Sequence, residues 1–140
     1  MAVAKESQAS SVIEDMSGFY GFLGPHDTLA ILEEEGSLKG YLDVFQAPEE
    51  SDDILSYQIR LGTRQKERVE FKTGTIHAKY YRFAGTIERG KGRNENDDDY
   101  LRLVGVLSTI MVESDTGKET AQQQDVILKW KPRTEVPKEE

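Results

Sequence analysis

The sequence contains no cysteine, one tryptophan and two histidines in 140 residues. Without thiols, disulfides and thiolate metal sites are excluded, and two histidines alone make a poor zinc set. No metal is expected. No apolar stretch, Leu103–Leu107 included, approaches the roughly 20 residues that cross a bilayer as a helix. The opening residues MAVAKESQASSVIEDM lack the apolar centre of a secretory signal, so a cytoplasmic product is the expectation. Basic residues are scarce too: 18 Lys and Arg stand against 26 Asp and Glu, a net charge of −8. Such a surface repels phosphate, which argues against nucleic acid and anionic membranes as partners. A Gly-x-Ser-x-Gly elbow and a phosphate-cradling loop are also missing, so nucleophilic and phosphoryl-transfer chemistry lack support, and no cofactor is expected.

What the chain does have is two-residue alternation between turn signals, from Gly18 to Lys131. That pattern predicts eight strands, at about 18–23, 27–34, 38–46, 54–62, 67–73, 75–88, 100–113 and 124–131. Links such as Gly24-Pro25, Glu35-Gly36-Ser37 and Thr73-Gly74 are too short for parallel crossovers, so an antiparallel meander is expected. Inward faces follow from parity: Leu38, Gly40, Leu42 and Val44; Leu55, Tyr57, Ile59 and Leu61; Val69 and Phe71; Tyr81, Phe83, Gly85 and Ile87; Leu101, Leu103, Gly105 and Leu107; Val126, Leu128 and Trp130. Three of those positions are strand-centre glycines. Glycine weakens a strand, but inward glycines relieve crowding where a small sheet curls shut. The expected fold is therefore all-β, an eight-stranded antiparallel up-and-down barrel spanning residues 11–131 as one domain. Residues 1–10 are expected to form a flexible N-terminal tail, and 132–140 a flexible acidic C-terminal tail.

Ser11-Val12-Ile13-Glu14 matches a capping box, which predicts a short helical turn ended by Gly18. The strand at 100–113 is apolar on both faces, because Val104, Val106, Ile110 and Val112 oppose the leucines. Either the N-terminal segment or a second subunit would cover its outside, the latter giving a homodimer through this strand.

The helical turn, the first strand opening Gly18-Phe19-Tyr20 and the final strand VILKWK together resemble the calycin superfamily, the lipocalin-like barrels. Tyr20 stands where lipocalins proper carry the tryptophan of Gly-x-Trp, so the chain is not a lipocalin proper. YRFAGTIERG and YLRLVGVLST look more like bacterial barrels of this general type with no characterised activity. The resemblance implies a basic residue packed over Tyr20 from Lys129, Lys131 or Arg133.

An eight-stranded barrel is either filled by side chains or holds one small ligand. Tyr20, Tyr57, Phe71, His77, Tyr81, Phe83 and Trp130 are the candidate lining for a small apolar or amphipathic molecule, their rings offering area and their phenols orientation. In the strand from 75, Ile76 and Tyr80 compete in parity with Tyr81 and Phe83. A bulge would reconcile them and would decide whether Lys79 faces inward, where it could meet a carboxylate. His26 reads as a loop residue. Asn94, Asn96 and Asp98 offer calcium-type oxygens, but the spacing fails an EF-hand loop and reads as a solvated hairpin tip. Three functions stay open: a ligand-binding barrel, a structural or interaction module with a filled interior, and an isomerase or cyclase using His77, Lys79 or Tyr81.

Overall fold

The computed structural model describes residues 13–45 and 54–132. Eight strands run in chain order: β1 (Gly18–Gly21), β2 (Thr28–Glu34), β3 (Ser37–Phe45), β4 (Ile54–Gln65), β5 (Arg68–Thr73), β6 (Lys79–Arg89), β7 (Leu101–Val112) and β8 (Glu119–Lys131). Each pairs antiparallel with its successor, and β8 returns to β1 to close the barrel. The expected meander is thus the observed one. Closure removes most of the open edges that a flat sheet would expose.

Most of the predicted inward residues lie in the core, Leu42, Phe83, Leu103 and Leu107 fully buried, and Tyr20 and Leu29 join them. Gly85 and Gly105 face each other directly across the β6–β7 ladder. A Cβ on Gly85 would collide with the carbonyl of Val104 and Cα of Gly105, and one on Gly105 with Ala84 and Gly85 backbone. Two backbones approach here as no side chain would allow, and this lets two long strands coil at the waist. Gly40 does related work on β3, where its φ of 137° and the nearby Ala30 carbonyl exclude any side chain.

Several expectations give way to tertiary detail. No helix occurs among the described residues; Ser11 and Val12 lie outside them, and Ile13–Ser17 run without helical structure into β1. The Ile13 and Met16 carbonyls and the Met16 N–H are met by barrel side chains, and the Ser17 N–H by Asp15 within the segment, in place of helical bonds. Both predicted tails, 1–10 and 132–140, fall outside the described residues apart from Pro132.

A register shift between Ile59 and Leu61 turns Gly62 opposite the inward Phe71 and leaves Leu61 67% exposed, not inward as alternation implied. One extra residue in a strand reverses every side chain beyond it. In β6 no such shift is present: pairing with β7 is continuous from Lys79 to Arg89. Tyr80 is instead buried on the outer face, opposite Ile110, while Tyr81 is buried inside. The parity conflict was therefore two buried faces, not a bulge.

Candidate functional site

The barrel has two unlike ends. At one, the segment Ile13–Ser17 is strapped across the opening. Met16 is wholly buried, and its N–H donates to Glu33 Oε1 at 2.9 Å. Arg64 Nη1 donates to the same oxygen at 2.8 Å, and Arg64 Nη2 donates to the Ile13 carbonyl. Ser17 Oγ accepts from the Glu33 N–H at 2.8 Å. The Arg64–Glu33 pair is only about a tenth exposed on either side chain, and its lone pairs and protons are largely spent on this strap. A buried ion pair of this sort holds geometry because either partner alone would be an unpaired buried charge.

Tyr20 belongs to this end. Its hydroxyl donates to the Met16 carbonyl at 2.7 Å, and burial pushes its phenol well above the ordinary tyrosine range. The cation acting on it is Arg64 from β4. Of the terminal basic residues that resemblance implied, Lys131 instead bonds the Asp27 carbonyl and Thr28 Oγ1, at 3.1 and 3.2 Å. Lys129 is exposed on β8, and Arg133 lies outside the described residues. Trp130 meets Tyr20 and Tyr100 edge-on at 5.5 and 5.3 Å. Its indole N–H donates to the Glu95 carbonyl at 3.0 Å, drawing the tip of the charged 90–100 loop over the same end. That loop is held by its own acids. Asp97 Oδ2 accepts from the N–H groups of Arg93 and Asn94, and Asp99 pairs with Arg102.

At the opposite end, Tyr57 and Tyr81 meet edge-on at 5.1 Å, and Phe22 meets Tyr81 at 5.4 Å. Half-buried Val44, Leu55, Ile59 and Ile76 pack against the buried core. Tyr57 is 1% exposed, yet its hydroxyl has no hydrogen-bond partner. Leaving such a group unpaired is costly, and native structures seldom do so without a reason. Tyr81, by contrast, is anchored through its N–H to Thr73 Oγ1 at 3.0 Å. Burial, with smaller contributions from Tyr57 and Asp27, pushes its phenol up to about 12. Lys79 keeps Tyr81's parity, and its ammonium lies 5.8 Å from that ring's centre.

Of the seven predicted lining residues, six lie in the core, but they divide. Tyr57 and Tyr81 face one end, Tyr20 and Trp130 brace the other, and Phe71 and Phe83 stack at 5.5 Å between neighbouring strands. His77 is the exception. It sits exposed in the turn before β6 with a left-handed φ of 51°, beside Ala78 at 66°. This turn is closed by the Ile76–Lys79 bridge, so the strand begins at Lys79 and His77 cannot point into the barrel. His26 is exposed in the β1–β2 loop, tilted against Phe45. Among the described residues no cluster of His, Asp and Glu could hold a metal ion. Sequence reasoning missed Arg64 and Glu33. The fourth strand is expected to end at 62, short of Arg64, and the pair joins β2 to β4 across the intervening β3, a contact that no local pattern marks.

The surface clefts lie elsewhere. One runs between β8 and the Gly21–Pro25 loop, one beside Gly18 and Gly40 beneath Glu95, and one across β4–β6 around Leu61. None of these three reaches Tyr57 or Tyr81.

No family model matches the sequence, and no curated protein matches it either. Among solved structures, intact afifavidin in its apo form is similar in fold, with a TM-score of 0.57 at 15% identity, covering 90% of this chain and all of that one. A likeness at that identity concerns architecture, and architecture alone does not carry an activity. In fold, the chain is a calycin-like eight-stranded antiparallel barrel.

Proposed function

We propose that the barrel binds a small amphipathic molecule at the end lined by Phe22, Tyr57 and Tyr81, with an apolar body against the rings and a polar atom paired to the Tyr57 hydroxyl. The observation that carries this reading is that buried, unpartnered hydroxyl. The Phe22 and Tyr57 rings meet Tyr81 edge-on, and Lys79 adds a cation beside the Tyr81 ring, suited to a ligand with an acidic group. Tyr20 and Trp130 are not part of this site. Their bonds serve the strap and the barrel seam.

The isomerase or cyclase reading loses one of its candidate groups, His77, which is exposed at a turn. The Tyr81 phenol, pushed up to about 12, stays a neutral donor at physiological pH. A filled interaction module is the competing reading, favoured by the stacked Phe71 and Phe83.

A polarity-sensitive fluorophore, displaced by a panel of small apolar acids and alcohols, tests the site. Binding should be saturable and about threefold to tenfold weaker in Tyr57→Phe, the worth of one hydrogen bond. No saturable binding, or binding indifferent to Tyr57→Phe, would favour the filled module. Trp130 emission is a poor reporter here, because that ring is engaged at the opposite end.

A further inference from the structure

Closure of the barrel is lopsided. β8 pairs with β7 from Glu119 to Lys129, but with β1 only through Phe19↔Lys131 and Tyr20↔Trp130. β1 ends at Gly21, and from there towards Glu119 no ladder joins β8 to a second strand among the described residues. Val126 and Leu128 still keep their side chains buried along this stretch. Side chains therefore close the wall where backbone hydrogen bonds do not.

Phe22 stands at the start of that gap. Its backbone lies between two fixed points, Gly21, which pairs with Thr28, and the Gly24–Asp27 turn. In the turn, Asp27 Oδ2 accepts from the Gly24 N–H and Oδ1 from the Phe45 N–H, while Lys131 Nζ donates to the Asp27 carbonyl. On one side the Phe22 ring meets Tyr81 edge-on at 5.4 Å. On the other it lines the cleft between β8 and the Gly21–Pro25 loop. One half-buried ring thus touches both the Tyr57–Tyr81 end and a surface cleft.

The cleft measures about 680 Å³, within the roughly 300–1,000 Å³ of small-molecule pockets. Leu23 and Ile127 flank it, 47% and 54% exposed. Exposed apolar side chains grouped at one cleft mark a place that something apolar covers. Its charged rim is balanced, Lys129 and Lys131 against Asp98 and Asp99, so it favours neither an anion nor a cation. An uncharged apolar tail fits these walls.

We propose that this cleft is the outer half of the ligand site, that Phe22 is the gate between the halves, and that the ligand carries an unbranched alkyl chain. Its polar head would meet Tyr57 and Lys79 and its tail would cover Leu23 and Ile127. The inference rests on the reading of the Tyr57 end given above. A compact ring system would leave the two exposed side chains bare, whereas a linear chain is thin enough to pass one displaced ring and long enough to reach them.

Displacement of a polarity-sensitive fluorophore by unbranched acids from hexanoate to dodecanoate reads the tail. Affinity should rise about threefold to fourfold per methylene through the whole series. Ile127→Ser, a change at an exposed position, should cost dodecanoate about threefold to tenfold and hexanoate less. Stopped-flow mixing reads the gate. Phe22→Ala should speed association of the fluorophore on the order of tenfold, whereas loss of a packing contact alone would raise only the dissociation rate. An affinity that levels off before dodecanoate, equal losses for both acids in Ile127→Ser, or an unchanged association rate in Phe22→Ala overturns the proposal. Any of these leaves the Tyr57 site standing where binding still weakens in Tyr57→Phe. If neither the fluorophore nor any acid binds saturably, both readings fall together.

Discussion

The two ends of the barrel spend their polar groups differently. At the strapped end every named polar group has a partner: the Tyr20 hydroxyl on Met16, Glu33 on Met16 and Arg64, the Trp130 indole on Glu95. At the other end, an equally buried phenol, Tyr57, has none. Both ends are aromatic and both are buried, so hydrophobicity does not distinguish them. Hydrogen-bond completeness does, and it separates a region built for rigidity from one with an unspent donor.

The largest test of this contrast is Arg64→Ala. It strands Glu33 as a buried carboxylate and releases the Ile13 carbonyl, and should cost about 3–5 kcal/mol in denaturant unfolding. A loss under about 1 kcal/mol would mean that the strap is peripheral.

Removing one hydroxyl at each end gives the sharper comparison. Tyr20→Phe leaves the Met16 carbonyl without its donor and should destabilise by about 1 kcal/mol, whereas Tyr57→Phe removes an unpaired polar atom and should be neutral or stabilising by up to about 1 kcal/mol. Opposite signs from the same chemical change are the expected result. Equal losses would show that the Tyr57 hydroxyl has a partner after all.

A further effect is shared by the two ends. Burial raises the phenols of Tyr20, Tyr57 and Tyr81, the last from 10.0 to about 12. A group whose pKa is raised in the folded state keeps its stability contribution below the unfolded value and loses it as pH rises through the folded one. Stability should hold to about pH 10 and decline towards pH 12, followed by urea midpoints and phenolate absorbance. A midpoint insensitive to pH across that window would mean that these phenols ionise freely in the folded barrel.

Much of the architecture was legible because it is written in alternation. Leu101, Leu103, Gly105 and Leu107, or Val126, Leu128 and Trp130, carry their inward face in parity alone, and the waist glycines mark where two strands converge. What escaped depended on partners distant in sequence. Leu61 points outward because of a register shift after Ile59, which no local pattern announces. His77 is turned out by two consecutive left-handed residues, in a sequence that carries the glycine of its turn earlier, at Gly74. The capping-box reading failed to foresee that the segment after Ile13 finds its partners in Glu33 and Arg64, on strands remote along the chain. At the site, the aromatic residues could be named from parity, but a missing hydrogen bond is a property of three-dimensional surroundings. Only the folded chain displays it.

The two-pair seam between β1 and β8 also bears on how this molecule forms. Every other ladder joins strands adjacent in sequence, so those hairpins can assemble locally at little loop-closure cost. Tyr20↔Trp130, however, links residues from opposite extremes of the described chain. Long loops must be closed before such contacts give any return, and topologies that depend on them fold slowly. The seam is therefore the natural last step of assembly and the natural first place to unzip, with Trp130 at the joint as a built-in reporter of both events.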